Sequence, residues 1–192
     1  MGRNEPPPRP PLRREAIVAE ARALIAEHGI DALSIRRLAG RLGVSAPALY
    51  AHVRDKDDLL GAVATIELDE LASRFEAVAV ADANAESSAG LRGLAEAYLA
   101  FARECPSAFE LLATTPPGLR GSRAEAILVE AAGRTRAGDP DALAAAVWAG
   151  AHGVATVLRL APAADLAEEQ RRLAAVIDPL RTSERRGGRG SR

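Results

Sequence analysis

The run from Ser34 to Lys56, SIRRLAGRLGVSAPALYAHVRDK, constrains the fold more than any other stretch of the chain. Ile35, Leu38, Ala39 and Leu42 recur at helical spacing and mark one apolar face. Ser34 stands just before them, where a hydroxyl accepts from an unpaired amide of the first turn. Gly43 stands just after them, where a left-handed backbone favours glycine. Val44 plugs the turn and Ser45 caps a second helix. Ala46 takes that helix's first position, and Pro47 lies in a first turn whose N–H groups lack partners in any case. Leu49 and Val53 face inward, which leaves Tyr50 and His52 pointing elsewhere. Two short helices joined by a tight glycine-containing turn make a helix-turn-helix, whose second helix lies in the DNA major groove.

The rest of the chain predicts an all-α fold of about nine helices. Four segments follow from composition and periodicity: a Pro-rich leader over 1–12, the helix-turn-helix domain over 13–60, a helical body over 61–182 and a basic tail over 183–192. No apolar run approaches the ~18–20 residues of a membrane span, so no membrane is expected as a partner. The first residues, MGRNEPPPRPPLRRE, carry charge without an apolar core and do not read as a secretory signal. A lone Cys105 excludes an internal disulfide and fits a cytoplasmic location. The net charge of −1 conceals an asymmetry. Residues 1–54 hold nine basic against five acidic side chains, and residues 55–183 hold 12 against 20. A basic head on an acidic body suits a protein that sets one end on phosphates, although solvated charge scattered by chance gives the same totals.

The pattern Ile35-x-x-Leu38-Ala39-x-x-Leu42-Gly43-Val44-Ser45, then Leu49-Tyr50-x-His52-Val53 and Lys56-x-x-Leu59-Leu60, resembles the DNA-binding domain of the tetracycline-repressor (TetR) family. Pro47-x-Leu49-Tyr50-x-His52-Val53 is especially close to the tetracycline repressors themselves. The resemblance covers about the first third of the chain. It implies a dimeric regulator whose heads read a two-fold double-stranded DNA operator and whose body takes a small-molecule effector. Repression is the family default.

The same resemblance assigns candidate DNA contacts. Arg36, on the first helix of the motif, reaches a base or a phosphate, or else is a solvated surface arginine. A bidentate arginine–guanine contact discriminates by about 1–3 kcal/mol. Arg37 and Arg41 read as phosphate or surface residues. Ser45 serves as cap and phosphate donor. Ala46, Pro47, Ala48 and Ala51 offer no strong hydrogen-bond donor; they can meet a thymine methyl but not a guanine or adenine edge. This departs from tetracycline repressors, which carry polar residues beside the proline. Tyr50 and His52 are expected on phosphates, the alternative for Tyr50 being a partly buried core aromatic. Lys56 meets a phosphate with its charge and with the start of its helix. Arg9, Arg13 and Arg14 form either a basic arm near DNA or a solvated leader.

Further along, helices are expected over about 13–28, 56–81, 88–104, from Ser107, over 123–136, 139–160 and 163–178. His28 closes the first as a structural residue on the face of Ile17, Ala21, Leu24 and Ile25. Asp55 caps the long helix that begins at Lys56, and Asp139-Pro140 is a strong helix start. Of the last two helices the first is rich in Ala and Gly, and the second has Leu166, Leu173 and Ile177, with Leu180 just beyond, near heptad spacing. They either form a four-helix homodimer interface, as the family implies, or close the monomer's own core.

Trp148, His152 and Gly153 spell W-x-x-x-H-G, similar to the C-terminal domain of one TetR subgroup. Spaced i and i+4, Trp148 and His152 share a helix face. With Tyr98, Phe101 and Phe109 they either line an effector pocket or pack as a core with a satisfied histidine. One His and one Cys without partners do not make a metal site, and no cofactor is expected. No nucleophile–base–orienter set can be assembled, so the chain does not read as an enzyme. The alternative function is a DNA-binding or partner-recruiting regulator that ignores ligands.

Overall fold

Nine α-helices and one 3-10 turn make up the described residues, with no strand among them. The computed structural model describes residues 11–81, 87–115, 119–135, 138–161 and 165–177. Most of the leader, residues 82–86 and 116–118, Pro162, Leu180, the tail and the side chains of Leu166 and Ile177 lie outside that description, so the expectations placed on them do too. The chain divides into two compact units, Met1–Val63 and Ala64–Arg192.

The N-terminal unit holds α1 (Arg14–His28), a 3-10 turn (Ile30–Ala32), α2 (Ile35–Leu42), α3 (Ala46–Tyr50) and the first turns of α4 (Lys56–Ala81). Ile17, Ala21, Leu24, Leu38, Leu49 and Leu59 are fully buried and form its core. Burial of this kind makes Leu49→Ala cost about 2–5 kcal/mol. His28 departs from expectation: it is exposed, 3.6 Å from Glu27, and lies off the buried face.

Each helix boundary has a local cause. The Ser34 hydroxyl accepts from Arg37 N–H at 3.2 Å, starting α2. Gly43 ends it at φ 65° and ψ 33°. Val44 N–H then donates to Ala39 O at 3.0 Å, and Gly43 N–H to Gly40 O at 3.2 Å, which satisfies carbonyls the helix end leaves open. Ser45 holds the N-cap position of α3, but its side chain makes no capping bond, a correction to its expected role as a cap. Its carbonyl alone accepts from Ala48 N–H at 3.0 Å, and α3 lasts only five residues. Asp55 accepts from Asp58 N–H at 2.7 Å and starts α4.

The C-terminal unit continues α4 and adds α5 (Ser87–Glu104), α6 (Pro106–Thr114), α7 (Arg123–Gly133), α8 (Pro140–Leu160) and α9 (Leu166–Ile177). Helix α8 is the hub: α5, α7 and α9 all pack against it. Its N-cap Asp139 accepts from Ala142 N–H at 3.0 Å. Helix α7 ends at Gly133, earlier than the periodicity suggested, and α9 spans fewer residues than expected.

Helix α8 bears on the reading of apolar runs. Its most apolar stretch reaches a mean hydropathy of 1.4, enough by length and composition to cross a membrane. Leucine, valine and alanine supply that value, with His152 and Arg159 interrupting the run. Leu143, Ala144, Val147, Ala151 and Ala155 form its buried stripe. Its other side leaves Val157 45% and Leu160 79% exposed.

Candidate nucleic-acid interface and effector site

The candidate DNA contacts sit on α2, α3 and the corner into α4. Leu38, Ala39 and Leu49 are buried, which turns Arg36, Arg37, Pro47 and Tyr50 outward. Among the described residues Arg36 has no carboxylate partner, so its guanidinium is available to an external anion, while Arg37 feels the Glu27 carboxylate. Tyr50 is 55% exposed, which removes the core-aromatic alternative. Ser45 is exposed and its hydroxyl is not spent on capping. Ala46, Ala48, His52 and Lys56 are half-buried, and Lys56 is the first residue of α4.

Two arginines are withdrawn from the candidate list. Arg41 reaches back to α1, donating to Glu20, and to Glu27 at 2.5 and 3.1 Å. These carboxylates hold the Arg41 guanidinium firmly charged and satisfied within the unit. Arg14 is likewise no free basic arm. Its Nη1 and Nη2 donate to Asp58 at 3.0 and 2.9 Å, and Nη1 donates to the His52 carbonyl at 2.7 Å. The Arg54 N–H adds a bond to Asp58 at 3.0 Å. Arg14 and then Arg54 hold the Asp58 carboxyl far below the usual carboxylate range. This network ties the start of α1 to the corner that carries His52 and Lys56. It links residues 44 apart in sequence, and no periodicity announces it.

The five effector-site candidates come together in the C-terminal unit. Tyr98 on α5 is the centre. Its ring lies 4.5 Å from Trp148, 6.2 Å from Phe109 and 6.5 Å from Phe101 between centroids. His152 stacks 5.0 Å from Phe109. Tyr98, Phe101 and Phe109 are buried, while Trp148 and His152 are partly open. Burial pushes the Tyr98 phenol up, so it stays protonated. Its Oη shares a hydrogen bond with His152 Nδ1 at 2.7 Å. Burial also lowers His152, favouring its neutral form. Arg74 lies over the Phe101 ring at 5.4 Å and donates to Glu104 at 2.7 Å, closing that side. An open cleft of about 640 Å³ reaches the cluster at Trp148, between the starts of α7 and α8. Arg120, Glu125 and Asp141 line it with Ala144 and Ala145. No group of three or more potential metal ligands occurs among the described residues.

Residues 17–63 match the family model for bacterial regulatory proteins of the tetR family. Residues 91–178 match a tetracyclin repressor-like C-terminal domain. The chain belongs to the TetR family. The class D tetracycline repressor of Escherichia coli is 47% identical over 53 residues, 28% of this chain and 24% of that protein. An HTH-type transcriptional repressor of Mycobacterium tuberculosis is 37% identical over 102 residues, 53% of this chain and 46% of that one. This chain thus spans about a quarter of the tetracycline repressors it matches and under half of the mycobacterial one. A solved structure from Rhodococcus sp. RHA1, of unknown function, superposes with a TM-score of 0.70 at 26% identity, covering 92% of this chain and 97% of that one.

Membership places the helix-turn-helix of this TetR-family chain within the matched 17–63 segment, and with it Arg36, Ser45, Pro47, Tyr50, His52 and Lys56. The C-terminal match contains Tyr98, Phe101, Phe109, Trp148 and His152.

Proposed function

We propose that this TetR-family regulator is a repressor that binds a pseudo-palindromic operator as a homodimer and leaves it when a small molecule binds the C-terminal unit. The observation that supports the reading is the exposed set Arg36, Ser45 and Tyr50, with the half-buried Lys56, around a five-residue recognition helix. Arg41 and Arg14, by contrast, are spent on internal carboxylates. Arg36 reads a guanine edge; Tyr50, His52, Lys56 and Ser45 hold phosphates; Ala46, Pro47 and Ala48 touch thymine methyls.

The dimer forms through α8 and α9. Only 28% of the most apolar window of α8 is buried within one chain, which leaves an apolar helix face in need of a partner. The effector enters at the Trp148 cleft and engages the Tyr98–His152 pair. Coupling between the sites is reciprocal: a ligand that weakens DNA binding is itself bound more weakly on DNA, by the same factor.

Selection of bound sites from randomised duplex DNA at near-physiological salt tests the reading. An inverted repeat with half-sites about one turn apart is expected. Salt-sensitive binding without an enriched motif would refute sequence-specific regulation.

The second reading is a regulator that ignores ligands. Three of the five effector-site residues are sealed in the core, and the Tyr98 hydroxyl is already bonded. A broad metabolite panel that leaves the melting temperature unmoved would favour it.

A further inference from the structure

A second cavity, of about 280 Å³, lies where α5 and the start of α6 meet the last turns of α8. Its walls are Leu99, Ala102, Ala155 and Leu158, and its two charged lining residues are Arg103 and Arg159. No carboxylate lines it, in contrast to the Trp148 cleft, where Glu125 and Asp141 face Arg120. The two guanidiniums differ. Arg159 is pinned, donating to Glu110 at 2.7 Å and to the Pro106 carbonyl at 3.2 Å. Glu110 therefore neutralises Arg159 but also fixes where its remaining N–H groups sit. Arg103 is exposed and, among the described residues, has no carboxylate partner. The groove thus keeps one uncompensated cation beside apolar walls.

Its place on α8 separates it from the open face of that helix. At about 100° per residue, Trp148, His152, Ala155 and Arg159 share one stripe. Gly153, Val157 and Leu160 lie on the far side. A second copy covering Val157 and Leu160 leaves the groove open. On α5, Leu99, Ala102 and Arg103 share a face at i, i+3 and i+4. Tyr98, bonded to His152, immediately precedes Leu99.

We propose that this groove binds a small anion with an apolar body, a carboxylate on a short hydrocarbon chain. The head group takes Arg103 and the free N–H groups of Arg159, since arginine donors match a planar carboxylate. The body lies along Leu99, Ala102, Ala155 and Leu158. A carboxylate there competes with Glu110 for Arg159, which loosens the tie between α6 and α8.

The proposal does not rest on any DNA reading, because it is tested by binding to the whole protein alone. Octanoate, octylammonium and octanol are titrated calorimetrically into wild type, Arg103→Met and Arg103→Lys. Saturable binding of one octanoate per chain is expected, with at least tenfold weaker binding to Arg103→Met and intermediate binding to Arg103→Lys, which keeps the charge but not the planar fork. Octylammonium should not bind. Because Arg103 is exposed, the variants keep the fold, which an unchanged melting temperature checks. Equal affinity for octanol and octanoate, or indifference to Arg103→Met, overturns the anion site. If octanoate binds as expected while operator affinity stays constant, the groove stands as a site separate from the effector cleft at Trp148, and the repressor reading is untouched.

Discussion

On the proposed reading, single residues in the head divide into those that read DNA and those that hold the readers. Arg36 stands free, so Arg36→Ala should relax preference at one operator position, at about 1–3 kcal/mol against the wild-type base. Lys56→Ala should weaken all sequences alike and reduce the salt slope by about one. Binding to single-base operator variants across a salt series separates the two; identical preferences at unchanged affinity would remove both from the contact map. Asp58 belongs to the holders. Its carboxyl is held low by Arg14, then by the Arg54 N–H. A depressed folded value stabilises the fold above the ordinary carboxylate value of about 3.9, and that contribution is lost as pH falls toward the folded value. Asp58→Asn should therefore be less stable than wild type at pH 7, with the gap closing below about pH 4. Urea melts at several pH values check this, and a gap independent of pH would assign the pair to shape rather than charge. Caps at Ser34, Asp55, Asp139 and Gly43 are legible in the sequence because their partners lie within five residues. Arg41 with Glu20, Arg14 with Asp58 and Tyr98 with His152 are 21, 44 and 54 residues apart, and only the folded chain brings them together.

Among the elements, α3 carries the specificity problem. It offers Ala46, Pro47 and Ala48 to the groove side, with Ala51 just beyond, and none has a side-chain donor. Discrimination then rests on methyl contacts, worth about 0.8 kcal/mol for each buried methyl. Replacing thymine by uracil at the base pairs facing α3 should weaken binding about fourfold per site, while Arg36's guanine stays dominant. Quantitative gel shifts on uracil-substituted operators measure it; full affinity on the substituted duplex would mean that shape, not methyl contact, is read. The helix pattern itself was legible because 3.6-residue periodicity is a local property. The end of α7 was not, since Gly138 reads as the stop in the sequence while the helix already ends at Gly133. Helix α8 misled in the other direction. Its leucines, valines and alanines are interrupted by His152 and Arg159, so no unbroken apolar run reaches spanning length, yet its most apolar stretch has the mean hydropathy of a spanning helix.

For the whole molecule, the question is what the open side of α8 does. Ala142, Ala146, Ala149, Gly153, Val157 and Leu160 recur every three or four residues and form one stripe. Val157 and Leu160 are large, apolar and exposed. Gly150 faces α9 closely: a Cβ there would meet Leu173 Cδ1 at 3.2 Å. Gly153 faces nothing within 4 Å in the single chain, so a side chain there costs the monomer nothing by contact. Gly153→Ala should even stabilise an isolated chain by about 0.5–1 kcal/mol, because glycine is a poor helix former. A charged substitution tests the interface without touching the monomer's core. Gly153→Glu should leave the helical content intact, halve the mass in sedimentation equilibrium and lower operator affinity by about 10²–10⁴, the factor that linking two binding heads supplies. Its residual binding should resemble that of a single head: weak, salt-sensitive and indifferent to the spacing of the half-sites. Gly153→Glu that remains dimeric, with wild-type operator affinity, would place the interface elsewhere. The stripe on α8 would then need another partner to cover its apolar residues.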